Sequence, residues 1–135
     1  MNFLIRYSES AWALLRIVFG LLFAFHGMQK TFGILAKSHP ALLSQVGIGG
    51  VIELVAGLLI ALGLFTRHAA FLASGTMAVA YAQFHWKLQM DANIFPAINK
   101  GEPALLFCLV FLYMACRGAG PYSMDARMRP QVPRL

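Results

Sequence analysis

Charge is what this sequence has least of. Asp, Glu, Lys and Arg make up 12% of its 135 residues, about half the roughly 25% of an average soluble domain. Acid is scarcer still, with five carboxylates against eleven Lys and Arg and a formal charge of +6. With 59% hydrophobic residues and a mean hydropathy of +0.67, the chain has too few charges to clothe a soluble surface. The composition is that of a membrane protein, and the length that of one domain spanning 1–135.

Other absences narrow the chemistry. The cations form no basic stripe with interleaved aromatics; they lie in short segments between apolar runs and in the C-terminal tail. That excludes a nucleic-acid partner and fits topogenic charge at a bilayer surface. Cys108 and Cys116 are the only cysteines. On one helix they would stand about 12 Å apart along the axis, beyond the roughly 7 Å that a disulfide spans between Cα atoms. With no C-x-x-C, a thiol–disulfide relay within this chain is disfavoured. There is no flavin or nucleotide fingerprint, so any electrons would come from a partner. No histidine pair stands at i, i+3 or i+4, the spacing that puts two metal ligands on one helix face.

What is present is long apolar runs. A helix needs about 20 mostly apolar residues to cross a bilayer, and four segments approach this: 11–31, 47–65, 68–86 and 101–118. The expected fold is all-α, a four-helix transmembrane bundle. The run from Ala11 exceeds a signal-peptide core and no A-x-A site closes it, so it reads as a retained span. Thr66, Arg67 and His68 read as a tight turn, and the stretch from Lys87 to Lys100, with Pro96, as interfacial. Four spans place both termini and that turn on one side, with Arg6, Arg67, Arg117, Arg127, Arg129 and Arg134. Lys30, Lys37, Lys87 and Lys100 occupy the other. The excess predicts cytoplasmic termini.

The first span carries three intruders, Arg16, His26 and Lys30, and cations inside a bilayer are costly. At about 100° per residue, Arg16, Gly20, Phe23, Gly27 and Lys30 share a face, with His26 on its flank. Gly49, Glu53, Gly57 and Leu64 align on the second helix. Ser74, Ala78, Tyr81 and His85 align on the third, and Glu102, Leu106, Leu109, Tyr113 and Cys116 on the fourth. Depth then brings His26, Lys30, Glu53, His85 and Glu102 together in the outer third of one bundle. The expected pairing sets Lys30 and His26 against Glu53 and Glu102, and Arg16 against Glu9 or Asp125 near the inner surface. Plainer readings stand beside these. Long cations snorkel, buried ion pairs can do no more than fix helix register, and glycines commonly permit close helix contact. His85 beside Trp86 also suits an interface anchor, and Cys108 a core position.

Four motifs in order carry a family resemblance: R-x-x-x-G-x-x-F-x-x-H-G-x-x-K from Arg16 to Lys30, GGVIELVAGLLIALGLFTR from Gly49, NKGEPALLF from Asn99 and GAGPYSMD from Gly118. Together they resemble the DoxX-like membrane proteins over nearly the whole chain. The resemblance implies a multi-pass protein of the bacterial cytoplasmic (inner) membrane. The family is named for a subunit of a thiosulfate:quinone oxidoreductase, and other members belong to redox or thiol-stress assemblies. Its recurring residues map to Arg16, His26, Gly27, Lys30, Glu53, Gly57, Arg67, Asn99, Glu102 and Asp125. It supplies no catalytic assignment.

The leading functional expectation is an accessory subunit of a membrane redox assembly that presents a quinone-type lipid near the outer face. A quinone head needs hydrogen-bond partners and a proton source in an apolar cavity. His26, Lys30, Glu53, Tyr81 and His85 supply that chemistry, with Asn99 and Glu102 completing the polar cluster; Arg16 and Asp125 are expected to serve ion pairing. The alternatives are a non-catalytic scaffold or assembly factor, a haem or metal site built from several helices, and a small-molecule transporter. The expected partners are the lipid bilayer and either another subunit or further copies of the chain.

Overall fold

In the computed structural model residues 2–36 and 40–128 are described. Lys37, Arg129 and Arg134, which entered the charge comparison, lie outside the described residues. Every regular element among the described residues is helical: α1 Asn2–Ile5, α2 Ser8–Phe32, α3 Gln45–Leu62, α4 Thr66–Ala80, α5 Pro96–Asn99, α6 Glu102–Arg117 and α7 Met124–Met128. A π-helical segment, Tyr81–Trp86, prolongs α4, and a short 3-10 turn, Ala92–Ile94, precedes α5. Two helices, α2 and α3, are long and apolar enough to cross a membrane.

The ends have local causes. Gly33 stops α2 in the left-handed region, φ 67°, with its N–H on the Gln29 carbonyl. Ser44 opens α3 by accepting from the Gly47 N–H at 3.1 Å. The expected turn at 66–68 lies three residues earlier. Gly63 and Phe65 take positive φ, 71° and 48°, and Thr66 already begins α4. Asp125 fixes this corner: its two carboxylate oxygens accept from the N–H groups of Phe65 (2.7 Å) and Thr66 (3.0 Å), satisfying the start of α4.

Small residues set the closest packing. A Cβ on Gly20 would lie 2.6 Å from the Ala61 nitrogen, and one on Gly57 2.5 Å from the Ala24 nitrogen. On Gly27 it would collide with the backbone of Leu54. The backbones of α2 and α3 therefore touch, as small-residue interfaces allow. Packing of α4 on α6 forms a second pair. Aromatic rings join the pairs: Phe19 and Phe23 of α2 meet Phe107 and Phe111 of α6 at centroid distances of 4.8 to 6.5 Å.

Two expected faces are corrected. On α6 the residues aligned with Glu102 point outward: Leu106, Leu109 and Tyr113 are all more than half exposed. The inward face is Ala104, Phe107, Phe111 and Met114. This helix is apolar all round, so a polar residue at each end misled the choice of face. On α4 Ala78 is exposed while Ala73, Ser74 and Met77 are buried. Beyond Ala80 the wider i→i+5 turn of the π segment also breaks the 100° count to Tyr81 and His85.

Candidate functional site

Arg16 lies at one end of the α2–α3 pair and is 1% exposed. Its Nη1 donates to the carbonyls of Ile60 and Ala61, both at 2.7 Å, and its Nη2 to that of Tyr122 at 2.6 Å. It thus caps the end of α3, where carbonyls lack intrahelical partners and a cation is favoured. The expected partners have other attachments. Glu9 pairs with Arg117 at 2.7 Å, whose guanidinium also stacks on Trp12. Asp125 caps α4 and acts on Arg16 through its nearby charge. A carboxylate cannot serve the α4 N–H groups and replace three carbonyls at once.

At the other end of the pair Lys30 reaches across from α2 to Glu53 on α3, Nζ to Oε1 2.5 Å. The Glu53 side chain is 2% exposed and that of Lys30 36%. The second carboxylate oxygen of Glu53, Oε2, is buried and has no hydrogen-bond partner. Gly50 permits the crossing, because a Cβ there would stand 2.6 Å from the Cβ of Lys30.

This pair lies on the wall of a cavity of about 600 Å³, within the range of small-molecule sites. Its walls come from four helices: Phe23 and His26 from α2, Ile52 and Glu53 from α3, Met77 and Ala80 from α4, Ala104 and Phe107 from α6. Phe84 and His85 of the π segment close one end. His26 is exposed and meets Phe107 edge-on at 6.1 Å. His85 Nδ1 lies 3.2 Å from the Asn99 carbonyl, which can only accept. Nδ1 therefore carries a proton, and a neutral ring keeps Nε2 as an acceptor.

Three residues expected in this cluster stand apart from the cavity wall. Asn99 binds its own loop, its amide donating to the Asn93 carbonyl (2.7 Å) and the Tyr81 hydroxyl (3.3 Å) while its Oδ1 accepts from the Gly101 N–H (2.7 Å). Tyr81 stacks on His85 and supports it from behind. Glu102 is exposed on the first turn of α6. Among the described residues no three of His, Cys, Asp and Glu form a group that could hold a metal ion.

Several wall positions escaped the sequence reading, among them Gln45, Gly75 and Phe84. Gly75 carried a usable signal. Glycine inside a helix is unfavourable by about 1 kcal/mol relative to alanine, and nothing lies within 4 Å of where its Cβ, or that of Gly49, would stand. Neither glycine answers to close packing.

The model of the DoxX family matches residues 11–86, which run from α2 through the π segment and carry most of the cavity wall. A protein of Haemophilus influenzae, described as an uncharacterized protein, is 42% identical over 134 residues, covering 93% of this chain and 96% of its own. No solved structure matches significantly.

Proposed function

Because this chain belongs to the DoxX family of membrane proteins, we propose that it is a four-span accessory subunit of a redox assembly in the bacterial inner membrane, holding a quinone-type lipid in the Glu53 cavity. The observation that carries this reading is the half-satisfied Glu53–Lys30 pair on the wall of a mostly apolar cavity. Apolar walls suit a lipid tail, and a carboxylate, an ammonium and two imidazoles suit a head that exchanges hydrogen bonds as it changes redox state. Four spans are supported by the 21 residues that α4 and the π segment make together (66–86), about the number a bilayer crossing needs. The outward leucines of α6 support a lipid contact for the shortest of the four.

In this reading the cavity opens toward the outer face and both termini are cytoplasmic. A cysteine in place of Asp91, in a background lacking Cys108 and Cys116, reacts with an impermeant thiol reagent on intact cells. One in place of Met128 reacts only after permeabilisation. The functional test is native extraction followed by mass spectrometry of retained lipids and proteins. A quinone-type lipid at about one per chain, reduced in Glu53→Gln, is the expected result. A preparation carrying only bulk phospholipid leaves the scaffold reading in its place. Thiosulfate or another donor is oxidised only when the partner subunit is restored, since the sequence carries no flavin or nucleotide fingerprint.

A further inference from the structure

The quinone-type reading leaves two matters open: how the molecule enters, and which form of its head the site prefers. Two observations bear on them. Gly49 on α3 and Gly75 on α4 both line the cavity, and both face space that a side chain would fill. Nearer the helix ends, Gln45 Nε2 donates to Gln83 Oε1 at 2.5 Å, tying the start of α3 to the π segment. A molecule coming from the aqueous end meets that bridge, and one coming sideways from the lipid meets two bare glycines. Glu53 lines the cavity, and its Oε2 is a buried acceptor without a partner. A carboxylate oxygen paired with an ammonium can only accept a hydrogen bond.

We infer that the cleft between α3 and α4 is a lateral entrance, kept open by Gly49 and Gly75, for a lipid-like molecule whose head donates a hydrogen bond to Glu53 Oε2. The inference rests on the quinone-type reading and sharpens it: the reduced, hydroxyl-bearing head is the preferred occupant. A quinone carbonyl only accepts: it can take a second N–H of the Lys30 ammonium, but it leaves Oε2 unsatisfied. A quinol hydroxyl donates to Oε2 and disturbs nothing. An unmade buried hydrogen bond corresponds to roughly a tenfold or larger difference in affinity.

The test measures binding of decyl-benzoquinol and decyl-benzoquinone to the purified protein in lipid nanodiscs without oxygen. The native chain binds the quinol about tenfold more tightly or better. Glu53→Gln, whose amide can donate as well as accept, removes most of that preference. Gly49→Leu and Gly75→Leu, made singly and together, fold with undiminished melting temperature and slow the association of both probes alike, by about tenfold or more, because a blocked path acts on rates. Equal binding of the two probes to the native chain, a preference that survives Glu53→Gln, or leucine variants that bind as fast as the native chain does, each overturns the inference while leaving the quinone-type reading standing. Failure of both probes to bind the native chain overturns the two together.

Discussion

Arg16 and Glu53 are about equally buried, 1% and 2% exposed, at opposite ends of the same helix pair. Yet they are served differently. Arg16 is wrapped by three carbonyls and sits against Gly63, where a Cβ would come 2.7 Å from its Nη1. Glu53 has one cation, itself partly exposed, and one oxygen with nothing bound. The first arrangement spends both terminal nitrogens on carbonyls and leaves only the buried Nε unmet, on a side chain outside the cavity wall; the second leaves a carboxylate oxygen unmet on a side chain that lines the cavity. Burial of an ionisable residue in a membrane helix is therefore not by itself a mark of function. What separates the two ends is that Glu53 and Lys30 line a cavity, whereas Arg16 is enclosed by the carbonyls it serves.

The largest effect should come from the closed end. Arg16→Met strands three carbonyls, and at about 1–3 kcal/mol for each unpaired buried group the loss is expected to reach at least ~3 kcal/mol. Thermal unfolding in detergent measures it, and lipid retained per folded molecule should stay unchanged. Retention that falls with Arg16 would erase the contrast between the ends. Gly57→Leu should follow, at about 3 kcal/mol, because its side chain meets the α2 backbone rather than open space.

At the open end the numbers shrink while the functional effect grows. Lys30 is a third exposed and can hydrate when its partner is lost, so Glu53→Gln is expected to cost about 1–2 kcal/mol. Lys30→Met combined with it should recover part of that loss, giving a coupling of about 1 kcal/mol in a double-mutant cycle. Strict additivity would show that the two side chains do not meet. The smallest effect belongs to Gly49→Ala, which should raise stability by about 0.5–1 kcal/mol through helix propensity and leave lipid content intact. A loss of stability there would mean that the glycine answers to packing after all.

How much of this was legible beforehand depends on the kind of signal. The stripe of Arg16, Gly20, Phe23 and Gly27 could be read because α2 mixes small, polar and large residues, and all four are buried. The face of α6 could not be read because every face is apolar. Tyr81, Asn99 and Glu102 share the depth of the cavity but not its wall, since sequence gives depth along a helix more surely than direction around it. The π turn after Ala80 lies beyond a periodicity count for the same reason.

By itself the amino-acid sequence determined the helical class, the apolar runs and the end of the molecule at which Lys30 and Glu53 lie, because composition and rise per residue are local properties. Only the tertiary structure decided that Arg16 answers to carbonyls, that Asp125 caps a helix, and that Glu53 rather than Glu102 meets Lys30. It alone also left Glu53 Oε2 without a partner on a side chain that lines a cavity. Those outcomes depend on which groups compete for the same hydrogen bonds across helices, and that competition is settled only when the helices pack.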